Sequence, residues 1–334
     1  MNRRPAQPLV APPALAACLL LAALAGGRGA VAADTAVQIE WGGRIRTAIL
    51  HSPPAGDGTS PRPLVLLLHG GGGNGAQAQA SCGMDAVADR EGFLVAYPDG
   101  TSAFGNLLTW NAANCCGYAW ENDVDDAGFL RALVGEIARR HPVDPRRVYA
   151  TGMSNGGMMS YRLGCRAADL FAAIAPVAGA LNETVCSPAA PLPVIVFHGT
   201  DDQQVLYDGG FGPNQITPRF DQPVSHAVAF WVAHDRCATT PETETSPSGA
   251  IVRDTWSGGT DGAEVVLTTV VGGGHAWPGS VAPRPGADPP TQEISASELM
   301  WAFFARHPKP AGDPPPTPTP ATRQLRRSSA ARCS

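Results

Sequence analysis

The pentapeptide Gly152-Met153-Ser154-Asn155-Gly156 stands between an apolar run, Val148-Tyr149-Ala150-Thr151, and a segment of helical character, Met158-Met159-Ser160-Tyr161-Arg162-Leu163. A strand that turns into a helix over so few residues strains its central backbone, and glycine at both flanks lets the chain turn without a Cβ clash. Such an elbow lifts a serine oxygen clear of a sheet and aims a helix N-terminus at negative charge forming beside it. In a chain with 38 glycines the five letters alone carry little weight. Their strand–turn–helix setting makes Ser154 a candidate nucleophile.

The rest of the chain supplies a sheet for that elbow. Val37 to Ile49 alternates about Trp41-Gly42-Gly43 and predicts a β-hairpin. Pro63–Leu68, Phe93–Tyr97, Arg147–Thr151, Ala172–Val177, Val194–Phe197 and Val265–Val271 read as buried strands. Helices are expected over Val124–Arg140, after Ser154, over Val224–His234 and over Ala296–Arg306. Apolar strands alternating with helices imply an α/β fold, a mostly parallel central sheet with helices on both faces.

A serine at its free pKa needs a base, and in the α/β-hydrolase order Ser…Asp/Glu…His that base comes late. Of the histidines after Ser154, His226 and His234 share a helical face and His307 borders the tail. His275 follows a strand and the flexible Gly272-Gly273-Gly274, a loop from which an imidazole can reach the serine. The acid is expected after Val194–Phe197, at Asp201 or Asp202; Asp208 and Asp221 have no strand end to place them. Backbone donors for an oxyanion would come from Asn155 and from the loop His69-Gly70-Gly71-Gly72-Gly73, with Gly71 or Gly72 favoured. That loop lacks the Gly-Lys-Ser/Thr ending of a phosphate cradle. Trp110, and Trp277 beside His275, are candidates for an aromatic substrate wall, although core packing explains such residues equally well.

Arg3, Arg4, the apolar run from Leu9 to Ala25 and the small-x-small Ala30-Val31-Ala32 read as an export signal over residues 1–32 rather than a retained membrane anchor. A catalytic domain is expected over 33–307, and residues 308–334, rich in Pro and Thr and then basic, are expected to be disordered. The formal charge of −5 becomes −8 without Arg3, Arg4 and Arg28. With a tail of +4 set apart, the body stands near −12, which argues against nucleic acid as a partner. Six body cysteines, Cys82, Cys115, Cys116, Cys165, Cys186 and Cys237, suggest three disulfides in an exported chain, with Cys165–Cys186 preferred. No Cys-x-x-Cys and no histidine at ligand spacing favour a zinc site, so no metal or cofactor is expected.

Taken together, His69-Gly70-Gly71-Gly72-Gly73-Asn74, Trp110-Asn111, Cys115-Cys116-Gly117, Val124-Asp125-Asp126, the Ser154 pentapeptide with Gly157, His198-Gly199-Thr200-Asp201-Asp202 and Gly274-His275-Ala276-Trp277-Pro278-Gly279 resemble the polyhydroxybutyrate depolymerase/feruloyl esterase family of carbohydrate-esterase-like α/β-hydrolases. The resemblance spans roughly Val37 to Arg306. The family's acid loop, His-Gly-Thr-x-Asp, selects Asp202; Gln203-Gln204-Val205-Leu206-Tyr207 departs from the usual continuation, which puts the shape of the nearby rim in question. It implies a secreted, extracellular or periplasmic serine ester hydrolase without cofactor, acting on a polymeric or plant-derived ester. Poly(3-hydroxybutyrate) is the first expectation and a feruloyl or acetyl-xylan ester the alternative. A serine peptidase and a non-catalytic binding protein are the rivals on the same fold, and oligomeric state is left open.

Overall fold

The computed structural model describes residues 31–54, 59–105, 107–215, 217–282 and 286–312. The expected export signal, up to residue 30, and positions 313–334 of the expected tail lie outside the described residues. In chain order the elements are β1 (Ala33–Trp41), β2 (Arg44–Ser52), β3 (Arg62–Leu68), α1 (Gly75–Cys82), α2 (Met84–Glu91), β4 (Leu94–Pro98), α3 (Gly117–Glu121), α4 (Asp126–Arg140), β5 (Val143–Met153), α5 (Asn155–Ala167), β6 (Ala173–Val177), β7 (Val194–Gly199), α6 (Val224–Asp235), β8 (Glu242–Thr245), β9 (Ile251–Trp256), β10 (Val265–Val270) and α7 (Ala296–Arg306).

One sheet takes all the named strands in the order β1-β2-β4-β3-β5-β6-β7-β10-β9-β8. From β4 to β10 the pairs are parallel, while β1 and β2 at one edge and β9 and β8 at the other join antiparallel. The parallel strands are buried on both faces, which is why they read as unbroken apolar runs. Leu64, Leu66, Leu68, Val148 and Ala150 point to the face covered by α4, α5 and α6. Val65, Leu67 and Tyr149 point to the face covered by α1, α2 and α7. The two helix layers are the α/β architecture the sequence implied.

Several elements have no apolar periodicity to announce them. Gly75–Cys82 holds only small and polar residues apart from its last, and it is defined by its ends: Asn74 accepts the Gln77 amide at 3.0 Å, and Gly83 closes the helix at φ 71°. Exposed β8, Glu242-Thr243-Glu244-Thr245, is a charged edge strand, a composition that resists further pairing. Better marked ends behave as their residues predict: Asp125 caps α4 through the Gly128 amide and Ser295 caps α7 through the Glu298 amide.

The cysteines depart from the three-bridge expectation. Cys165–Cys186 is formed, tying α5 to the loop beyond β6, and Cys115 is bonded to its neighbour Cys116. Cys82 and Cys237 are free and buried. They pack in the cores on opposite faces of the sheet and so cannot meet. The start of the expected tail is also anchored: the Lys309 amide donates to the Arg146 carbonyl at 2.8 Å and its ammonium to Ala168 at 2.8 Å.

His51, buried in β2, is ringed by aspartates: Nδ1 bonds Asp34 at 2.7 Å and Nε2 bonds Asp89 at 3.1 Å, with Asp85 at 3.6 Å. Burial disfavours the charged ring, but the bonds to Asp34 and Asp89 and the charge of Asp85 outweigh it and raise the pKa. A raised folded pKa gives stability that is fully present below the unfolded value of about 6.5 and lost as pH climbs through the folded one. The stability advantage of the native chain over His51→Gln is therefore expected to be largest in mild acid and to shrink toward pH 8. Urea unfolding across that range checks it, and an advantage that grows with pH would contradict it.

Candidate active site

Ser154 sits between β5 and α5 with φ 58° and ψ −121°, a positive φ that a non-glycine residue adopts only under constraint. Its amide is held by the Val177 carbonyl at 2.9 Å. The constraint comes from crowding. A β-carbon on Gly152 would lie 2.6 Å from the Leu68 oxygen, one on Gly156 would run into the Leu68 carbonyl and lie 2.6 Å from the His69 oxygen, and one on Gly157 would lie 2.7 Å from the Val177 oxygen. The glycines thus let α5 start directly against the end of β3. As the first residue of α5, Asn155 has an amide with no intrahelical acceptor, beside the positive end of the helix dipole.

The glycine loop after β3 lies alongside. β-Carbons on Gly70 and Gly71 would be 3.5 Å from the Ser154 and 3.6 Å from the Asn155 side chain. Gly71 has an amide with no acceptor among the described residues, and its position suits an oxyanion donor. The Gly72 amide does not: it donates to the Leu108 carbonyl at 2.8 Å, so this half of the expected pair is committed to structure.

Asp202 follows β7 and His275 follows β10, adjacent parallel strands, so both side chains rise from the same edge of the sheet. His275 Nδ1 donates to Asp202 Oδ2 at 2.7 Å, which leaves Nε2 with its lone pair. Asp202 Oδ1 accepts the Gln204 and Val205 amides at 2.8 and 2.9 Å. Burial would raise this carboxyl's pKa, but bonds from His198 and His275 and their charges outweigh it and hold it well below the usual carboxylate range. Asp201 is exposed. A small, shallow cleft opens beside His275, bordered by Met153, Trp277, Val281 and Asp288.

The two tryptophans separate. Trp277 borders that cleft, although most of it packs in the core and its indole donates to Ser297 at 3.2 Å. Trp110 is fully buried and is no wall for a substrate. Its indole N–H donates to the His69 carbonyl at 3.0 Å, and its backbone N and O are clasped by the Asn155 side chain at 2.7 and 3.0 Å. His69, the other half of this brace, donates from Nδ1 to the Gly70 carbonyl at 2.8 Å and accepts the Gly100 amide at Nε2 at 3.0 Å. Burial pushes its pKa down to about 4, so it stays neutral.

Supports to which the sequence reading gave no role complete the site. Arg46 Nη2 pairs with Asp126 Oδ1 at 2.7 Å, both side chains almost wholly buried, and its guanidinium lies 3.9 Å over the Phe129 ring. Asp126 also accepts the Asn111 amide at 2.8 Å, and Arg46 reaches the Asp99 carbonyl at 3.2 Å. Asp288 accepts the His275 amide at 2.6 Å. Among the described residues, Asp34, His51 and Asp85 are the one group offering three metal-ligand atoms within 4.8 Å of one another. Each already has a hydrogen-bond partner, and His51 pairs with Val95 near the start of β4, away from the strand ends that carry Ser154 and His275.

Fold and site define an α/β-hydrolase with serine, histidine and aspartate on the carboxyl edge of its sheet. The family model described as esterase PHB depolymerase matches residues 47–210. Feruloyl esterase B of Piromyces equi is 33% identical over 238 residues, 69% of this chain and 42% of that protein. NocK of Nocardia uniformis subsp. tsuyamanensis is 33% identical over 290 residues, 82% of this chain and 83% of that protein. The chain belongs to the esterase PHB depolymerase family. It spans less than half the length of the Piromyces protein. Among solved structures, the acetyl xylan esterase from Aspergillus awamori shares the fold with a TM-score of 0.54 at 16% identity, covering 81% of this chain and 99% of that one.

Removing one partner of a buried ion pair strands the other charge. Arg46→Met is expected to destabilise the protein by about 3–5 kcal/mol, with the Arg46→Met/Asp126→Leu double variant recovering much of the loss in urea unfolding. A single variant as stable as the native chain would contradict this reading of the brace.

Proposed function

We propose that this chain hydrolyses carboxylic esters through an acyl-enzyme on Ser154. The observation that carries this reading is the Asp202–His275 hydrogen bond on the edge of the sheet where the elbow exposes Ser154. His275 Nε2 takes the Ser154 proton as the oxygen attacks the ester carbonyl, and Asp202 holds the ring in the required tautomer and stabilises it once charged. The oxyanion faces the amides of Asn155 and Gly71. His275 then protonates the departing alcohol, and water repeats the sequence on the acyl-enzyme to release the acid.

The family and the apolar border formed by Met153, Trp277 and Val281 support short polyester units, poly(3-hydroxybutyrate) first, as substrate. The similarity to a feruloyl esterase over 69% of the chain favours feruloyl or acetyl-xylan esters as the second reading. The work is placed outside the cytoplasm, which the basic, apolar N-terminus and two disulfides support.

A pH-stat assay of acid release from amorphous poly(3-hydroxybutyrate) and from feruloylated arabinoxylan tests the proposal, with Ser154→Ala as the blank. Serine-dependent release is expected from the polyester; release from the xylan alone would move the substrate to the second reading. Asp202→Asn is expected to lower kcat by roughly 10³–10⁴-fold, because the imidazole loses the acceptor that orients it. Equal release by native protein and Ser154→Ala would overturn the proposal.

A further inference from the structure

The turn that carries His275 is gripped from two sides. On one, the Gly272 amide donates to Thr200 Oγ1 at 2.8 Å and the Asp201 amide to the Gly273 carbonyl at 2.9 Å, so the acid loop and the histidine loop hold each other. On the other, Asp288 Oδ2 accepts the His275 amide at 2.6 Å, and Gly274 lies so close that a β-carbon there would be 2.6 Å from the Asp288 carboxyl carbon. Asp288 is half-buried, and it borders the cleft that His275, Met153 and Trp277 also line. Of that lining only His275 and Asp288 can carry a charge. Among the described residues Asp288 has no ion-pair partner.

The cleft lies beside His275, the group that hands a proton to the departing alcohol in the proposed reaction. On the serine-esterase reading, a leaving alcohol that takes its proton from His275 lies on the side of the ring that Asp288 borders. A fixed carboxylate there raises the energy of a second negative charge brought into the cleft, by an amount that depends on their separation and on salt.

We propose that Asp288 is a specificity-determining residue, which disfavours esters whose leaving alcohol bears a carboxylate while it braces the backbone of His275. This rests on the serine-esterase reading above. In a hydroxyacid polyester the free carboxyl end lies on the leaving-alcohol side of the scissile bond, so Asp288 turns the enzyme away from the last ester before that end and toward interior ones. A neutral sugar as leaving alcohol meets no such penalty.

The probes are two butyrate esters with the same acyl group, 4-butyryloxybenzamide with a neutral leaving phenol and 4-butyryloxybenzoate with an anionic one. Their kcat/KM ratio is compared in the native chain, in Asp288→Asn and in Asp288→Ser, each of which keeps an acceptor for the His275 amide. Comparing ratios cancels the intrinsic reactivity of the two phenols. At low ionic strength either folded variant is expected to narrow the neutral-over-anionic preference by about fivefold, and Asp288→Glu, which keeps the charge, is expected to preserve it. A ratio unchanged in a folded Asp288→Asn or Asp288→Ser protein would overturn the assignment. Absence of Ser154-dependent hydrolysis of either ester by the native chain would instead overturn the esterase reading on which it rests.

Discussion

Helix α5 begins so close to the end of β3 that the carbonyls of Leu68 and His69 occupy the space where side chains on Gly152 and Gly156 would be. That approach forces the left-handed backbone at Ser154, a conformation that costs on the order of 1–3 kcal/mol and survives only where the surroundings over-determine it. Here they do: the Ser154 amide is tied to Val177, Gly157 abuts β6, and the apolar face of α5 packs on the sheet. The same contact brings the glycine loop after β3 alongside the first amide of α5. The proposed nucleophile and the proposed oxyanion donors thus follow from one packing constraint, and a single added methyl at Gly156 would disturb both.

Behind that contact stands a layer of buried polar groups that do no chemistry in the proposed reaction. The Asn155 side chain clasps the Trp110 backbone, the Trp110 indole bonds the His69 carbonyl, and the Arg46–Asp126 pair ties the β2 edge to the Asn111 segment and the Asp99 corner. Buried ion pairs often stabilise no more than apolar residues of the same shape, and their value here is directional. Each fixes where a backbone amide or carbonyl points. Asp288 does the same for the His275 amide.

What could be read from the sequence divides along physical lines. The parallel strands and α4 to α7 were legible because burial on both faces leaves long apolar runs and one-sided stripes. Ser154, His275 and the Asp201–Asp202 pair were legible as candidates because an elbow, an acid loop and a histidine loop each follow a strand in a fixed order, and the family resemblance singled out Asp202. Helix α1 was not, since Gly-Ala-Gln-Ala-Gln-Ala-Ser-Cys has no apolar stripe and depends on its caps. Trp110 could not be told from a surface aromatic, because its burial depends on contacts with His69 and Asn155, 41 and 45 residues away. The choice between Gly71 and Gly72 turned on one bond to Leu108 that no pattern encodes. Asp288 lies in a Pro-rich loop without a motif, and only the fold brings it to His275.

The central claim is that Ser154 is a nucleophile activated by His275. A fluorophosphonate reacts with a serine in proportion to that activation, and peptide mass spectrometry locates the adduct. The account predicts a single adduct on Ser154 in the folded native protein, formed far more slowly in His275→Ala. An adduct on another residue, or equal labelling of Ser154 with and without His275, would contradict it.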